Sequence, residues 1–263
     1  MPHFFNHTEV INLTDLWKKD LFINDNIFYL FNKPIYEYDM QEAGYNLIRA
    51  YQLLPQERID WLSSLSKERR HIAIGKMYKE NLAFKENHMN AFKEARKLFF
   101  ESNDLEISDI ISIKKDAIFT TKECKVTRFF EFINFRKKHE YTSYIRLGRK
   151  LEFYYSPDNI DIKGLSDKAI DAHSEYMIDF IKSFIDKMET TTRPAVLKYT
   201  RKFIDRYKRK ELPIGYYRRF DTNSFYDTVN LDGMKLYECD NIDDVDISFN
   251  YFTILIKLIK IPL

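Results

Sequence analysis

The sequence predicts an α+β fold with an antiparallel sheet, helices on one face and a helical C-terminal region. Three observations lead there. Apolar, β-rich runs bounded by turn residues occur at 35–38, 110–120 and 126–155. Helical spacing fills most of 42–101 and returns from Ser166. The order strand, helices, hairpin, more strands, helices lacks the alternation of βαβ units.

Residues 1–33 read as irregular, with one short apolar run at Ile27–Phe31. Ile35-Tyr36-Glu37-Tyr38 is a strand ending at Asp39, and Pro34 suits its start because it donates no ladder hydrogen bond. Glu42–Leu54 has helical spacing through Tyr45, Ile48 and Tyr51, and Pro55 ends it. Ser66 can cap a helix running to about Leu82, with Glu68 in its first turn. A further helix near Lys85–Glu101 sets Met89, Phe92, Leu98 and Phe99 on one face. Ile110–Ile113 and Ala117–Thr120 then form strand, turn, strand across Lys114-Lys115-Asp116. Hairpins follow at Val126–Asn134, Tyr141–Leu147 and Lys150–Tyr155, turning at Gly148 and Pro157-Asp158-Asn159. Arg136-Lys137-Lys138 reads as a hairpin loop able to touch phosphates, or as an ordinary charged turn. Beyond Ser166 the apolar positions recur at helical spacing, Pro194 breaks the helix, and a basic helix follows. The tail Ile247–Leu263 reads as a final strand or helix, since Ser248, Asn250, Lys257 and Lys260 interrupt it too often for a bilayer span.

Composition narrows the function classes. Of 263 residues 44% are hydrophobic and 31% charged, so a packed core is expected rather than disorder. Only six glycines are present and no Walker or dinucleotide-binding string, which argues against P-loop and Rossmann chemistry. Cys124 and Cys239 cannot build a disulfide framework or a zinc site and suit a reducing, cytoplasmic compartment. The N-terminus lacks the basic and apolar regions of a signal peptide, so no membrane partner is expected. The six histidines show no metalloprotease-type spacing. Net charge is only +2, but Arg193–Arg219 holds ten Lys/Arg against two acids, while Phe220 onward is acidic. That segregation is expected of a nucleic-acid-binding segment beside an acidic tail, and equally of a solvated helix face. Abundant Ile, Asn, Lys, Phe and Tyr match an AT-rich genome such as a virus's.

The chemistry centres on two acids. Asp39 ends an aromatic strand just before a helix, and Asp116 sits at the turn of an apolar hairpin. If the strands are neighbours, the carboxylates converge at one sheet edge, where two hard oxygen donors suit Mg²⁺. The alternatives are a helix N-cap for Asp39 and a plain turn residue for Asp116.

These blocks resemble motifs A and C of the palm domain of family A and B nucleic-acid polymerases. The strand–Asp39–helix block is similar to motif A, and the hairpin bearing Asp116 to motif C. The resemblance implies a palm-like domain over 1–165 with a fingers-like helical insertion at about 55–103, and a thumb-like region over 166–263. It implies template-directed nucleotidyl transfer by a DNA polymerase or polymerase-like subunit, phage-type and minimal or degenerate. Asp39 and Asp116 would be catalytic and would hold two Mg²⁺ ions. Tyr45, Arg70 and Lys76 would bind substrate; Lys114, Lys115, Arg201, Lys202 and Arg206 would bind nucleic acid. Partners would be DNA or RNA, and another polymerase subunit or viral protein. Asp116 is flanked by Lys115 and Ala117 where motif C often has a second acid, and Gly44 stands where a sugar-screening side chain is common. A nuclease would use the same acids, and a non-catalytic nucleic-acid-binding or virion-associated structural protein would need neither.

Overall fold

The structure is a computed structural model that describes residues 13–147, 151–164, 178–217, 219–220, 236–237 and 241–243. The fold is α+β, with antiparallel sheets and helices. The chain divides into two units, one of residues up to Asn24 with Tyr36–Glu140, the other of Asp25–Ile35 with residues from Tyr141. The sequence reading drew its boundary near 165. The strands between Ser143 and Lys163 bury their apolar residues with the helices that follow.

The first unit holds α1 (Leu13–Leu16), β1 (Leu21–Ile23) and β3 (Ile35–Met40), then helices α2 (Ala43–Ala50), α3 (Gln56–Ser63), α4 (Lys67–Glu80) and α5 (Leu82–Ser102). It closes with β4 (Ile110–Lys114), β5 (Ala117–Thr120), β6 (Arg128–Phe129) and β7 (Ile133–Tyr141). The six strands run in the order β1-β4-β5-β3-β7-β6. Alternation makes β3 two-sided. Tyr36, Tyr38 and Met40 join a core with Phe92, Ala95 and Phe99 of α5, the Tyr38 and Phe99 rings lying 5.3 Å apart. Ile35, Glu37 and Asp39 fall on the opposite face. A second cluster packs Tyr45 and Ile48 of α2 against Ile59, Leu62, Ile74, Met77 and Phe84 of α3–α5.

Helix starts follow the expected chemistry. The Ser66 hydroxyl accepts from the Arg69 N–H, and the Asn81 side chain accepts from the Phe84 N–H, which satisfies orphan donors of α4 and α5. At α2 the cap is Glu42, in the left-handed region at φ 44° and without a capping hydrogen bond. Asp39 therefore lies inside β3 and is not a helix cap.

In the second unit β2 (Tyr29–Leu30), β8 (Ser143–Leu147), β9 (Leu151–Ser156) and β10 (Asn159–Lys163) form a sheet in the order β10-β9-β8-β2. Helices α6 (Asp179–Thr190) and α7 (Arg193–Lys208) cover it through Phe180, Ile181, Phe184, Phe203 and Tyr207. Pro194 occupies the first turn of α7, where its missing N–H costs nothing. A short β11 (Arg219–Phe220) pairs with β12 (Leu236–Tyr237).

Two expectations are corrected. Residues before 33 are not all irregular, because Leu21–Ile23 and Tyr29–Leu30 pair with β4 and β8. Arg136-Lys137-Lys138 is not a loop but the middle of β7, held there by its partner β3. The start of the helix expected from Ser166, the Gly148 turn and the Ile247–Leu263 tail lie outside the described residues.

Candidate functional site

Strand pairing brings the two acids together. In the antiparallel β3–β5 ladder Asp39 is opposite Ala117, and the Met40 N–H donates to the Asp116 carbonyl at 2.9 Å. Asp116 follows Lys115 in a two-residue turn between Lys114 and Ala117, with Lys115 in the left-handed region at φ 58°. Burial pushes the Asp116 carboxyl above its ordinary value. Its own backbone N–H and the charges of Lys115 and Lys138 oppose this, while the Asp39 charge adds to it.

Buried Arg96 pins the turn. From α5, 0% exposed, it donates to the Lys115 carbonyl at 2.7 Å, the Asp20 carboxylate at 2.8 Å and the Trp17 carbonyl at 2.8 Å. The Lys115 N–H in turn donates to the Asp20 carbonyl at 2.7 Å. Bonds to Lys115 and Asp116 thus clamp the strained turn from both sides.

On the other flank of β3, β7 supplies a row of cross-strand partners. Lys138 is 3.3 Å from Glu37, Arg136 is 3.6 Å from Asp39, and the Asn134 amide donates to the Gln41 side chain at 3.2 Å. The three pairs step in opposite directions along the two strands, as antiparallel neighbours must. Glu37 is 1% exposed, so Lys138 compensates a buried charge, whereas Arg136 is 55% exposed and its pairing is labile. Sequence reasoning missed Arg136 and Lys138 as partners of the acids. The run Arg136–Glu140 carries no apolar alternation, so only the pairing with β3 shows it to be strand.

The other expected site residues scatter. Tyr45 is buried in the helical cluster, and both Arg49 and Arg70 lie over its ring. Arg70 is engaged with Glu42 at 2.9 Å and with the Leu65 carbonyl at 3.0 Å. Lys76 lines a separate groove between α3 and α4 with exposed Trp61 and Ile72. Lys114 shares the Asp39 face of the sheet through its pairing with Ala117, and the Lys115 ammonium lies 4.8 Å from the Phe92 ring. Arg201, Lys202 and Arg206 are exposed on α7, whose Phe203, Ile204 and Tyr207 are core residues. Phe203 and Tyr207 of that helix therefore pack inward.

Among the described residues no three His, Cys, Asp or Glu side chains group as a metal cage. Asp39 and the desolvated Asp116 are oxygen donors of the type Mg²⁺ takes. That ion takes one or two carboxylates and completes its shell with water and phosphate. No helix among the described residues is long and apolar enough to cross a membrane.

An α+β chain with an acid pair across neighbouring strands defines a class, not an activity. Over residues 11–263 the chain matches the family described as bacteriophage PBS1 gene 130 protein, and it belongs to that family. It is a phage protein. A search of curated proteins returns no match.

Proposed function

We propose that this phage protein is a palm-type, Mg²⁺-dependent nucleotidyltransferase acting on nucleic acid, a polymerase or polymerase-like subunit. One observation carries the reading: the pairing of Asp39 with Ala117, which sets the strand-borne acid beside the acid of the adjacent hairpin. Asp39 and Asp116 would hold the metal. Bound there, Mg²⁺ would lower the pKa of an attacking 3′-hydroxyl and neutralise charge on the departing phosphate. Arg136, exposed and only loosely paired with Asp39, is free to turn towards a phosphate. Lys138 stays with the buried Glu37 and keeps β3 charge-balanced.

Extension of a labelled primer on a template, with Mg²⁺, tests the reading. Wild type should extend and Asp116→Asn should not; equal activity removes Asp116 from the mechanism. Thermal unfolding gives a second readout. The raised Asp116 pKa makes its charged form unfavourable in the fold, so this stability is present at low pH and is lost as pH rises through the folded pKa. Mg²⁺ should therefore raise the Tm of wild type at neutral pH and leave that of Asp116→Asn unchanged. Equal shifts in the two proteins would place the metal elsewhere.

A second reading, nucleic-acid binding without transfer, is favoured by exposed Arg201, Lys202 and Arg206 on α7. It predicts affinity that falls steeply with salt and survives Asp39→Asn. Salt-independent binding would sink it.

A further inference from the structure

We propose that the cleft beside the acid pair, lined by Gln41, Asn46, Arg49, Arg128, Phe132 and Asn134, is a phosphate-binding subsite. The proposal rests on the reading of Asp39 and Asp116 given above and adds the group they would act beside. The cleft continues the same row of cross-strand pairs. Asn134, Arg136 and Lys138 alternate along one face of β7, and Asn134 meets Gln41 just as Arg136 meets Asp39. Two residues of strand place Gln41 about 7 Å beyond Asp39. The backbone ladder persists there, because the Gln41 N–H donates to the Asn134 carbonyl at 2.9 Å.

Charge selects the ligand. Arg49 and Arg128 both line the cleft, and among the described residues neither forms an ion pair. Glu131 shares the rim without engaging either arginine within salt-bridge distance. Arg70, Arg96 and Arg146, by contrast, each have a carboxylate within 2.9 Å. Arg49 is nonetheless held in place. Its guanidinium carbon lies 3.7 Å from the centre of the Phe132 ring and 5.5 Å from that of Tyr45. Stacking fixes the plane of the guanidinium and leaves its N–H edge for an acceptor, so little side-chain entropy remains to be lost on binding. Two guanidiniums with carboxamides of Gln41, Asn46 and Asn134 around them suit the oxygens of a phosphate. The amides themselves are prearranged, the Asn46 amide donating to the Gln41 carbonyl at 2.7 Å.

Size narrows it further. The cleft encloses about 240 Å³, below the roughly 300–1,000 Å³ of pockets that swallow whole ligands. It therefore takes phosphate groups and leaves the rest of a nucleotide or strand outside. Those groups come either from a free triphosphate or from a phosphodiester backbone.

Calorimetric titration of the full chain decides between the two and tests the subsite. Sodium tripolyphosphate is the first probe and a short oligothymidylate the second, both in chelator so that no ion bridged by the acid pair contributes. Arg49→Gln and Arg128→Gln should each weaken binding about tenfold, the loss expected for one charge-assisted contact. Arg128 is exposed, so its variant keeps the fold even if loss of the Arg49 stack disturbs α2. Loss confined to tripolyphosphate assigns the site to a nucleotide; loss confined to oligothymidylate assigns it to a strand. Unchanged affinity for both probes in both variants, or no binding of either probe by wild type, overturns the subsite. The two readings fail separately. Arginine-dependent binding by a chain that extends no primer leaves the subsite standing and removes nucleotidyl transfer. Primer extension, with both arginine variants binding as wild type does, removes the subsite alone.

Discussion

The two larger sheets each bury a glutamate, and they set it in different surroundings. In the first unit Glu37 on β3 faces the Lys138 ammonium at 3.3 Å, with the Asp39–Arg136 pair beside it. In the second, Glu152 on β9 is 0% exposed, accepts from the Tyr154 hydroxyl at 2.9 Å and the Tyr144 hydroxyl at 3.3 Å, and lies across the ladder from buried Arg146. Burial, with the Glu152 charge adding to it, pushes the Tyr144 hydroxyl far above its ordinary value, so it remains a donor at any physiological pH. Full burial makes Glu152 and its partners part of the scaffold, where salt screens little. Partly exposed charged partners, with a second acid close by, make a surface whose balance shifts with pH, salt or a bound ion. That contrast is why the candidate chemistry lies with the first unit.

Breaking the charged scaffold under Asp116 should have the largest effect. Arg96→Ala strands the Lys115 and Trp17 carbonyls and the Asp20 carboxylate, and should cost roughly 3–5 kcal/mol in urea unfolding. Arg96→Lys should recover part of that loss. A cost under about 1 kcal/mol for Arg96→Ala would show that the turn does not depend on its clamp.

Next in size is the pH response of the first unit. His88 on α5 is buried among Phe84, Phe92 and Tyr78, and the Tyr78 hydroxyl is 2.9 Å from its Nδ1. Burial pushes its imidazole down to about 4, with the Lys115 charge contributing and the Gly44 backbone opposing. The folded pKa is depressed, so the unfolded chain binds the extra proton between pH 6.5 and about 4. Stability should fall across that window as pH falls, by roughly 3 kcal/mol at its acid end. The slope should flatten in His88→Phe. Parallel pH profiles for variant and wild type would assign the acid sensitivity to other groups.

The buried scaffold of the second unit should respond more modestly. Tyr154→Phe removes a buried donor to Glu152 and should cost about 1–3 kcal/mol, equally at low and high salt. Smallest of all, Arg136→Ala should cost less than about 1 kcal/mol, and that cost should vanish at high salt because the pair is exposed. Salt dependence in the tyrosine variant, or its absence in the arginine variant, would erase the distinction between the two sheets.

Local signals in the sequence were enough for β3, α4, α5 and the β4–β5 hairpin. Tyr36, Tyr38 and Met40 alternate, Ser66 caps α4, and Lys114-Lys115-Asp116 interrupts two apolar runs. Each of those signals acts within a few residues. Asp39 and Asp116 could be named for the same reason, as acids at the ends of readable strands. Other assignments needed the third dimension. Arg136 to Glu140 is a polar run that becomes strand only because β3 offers it a ladder, and Arg70 is taken by Glu42, 28 residues away. Arg96 meets the Asp116 turn from 19 residues upstream. The sequence by itself determined which residue types sit at strand ends and turns, because propensity and periodicity are local. Which charges face one another was decided by tertiary structure alone, because a cation is committed by the neighbour that packing brings to it.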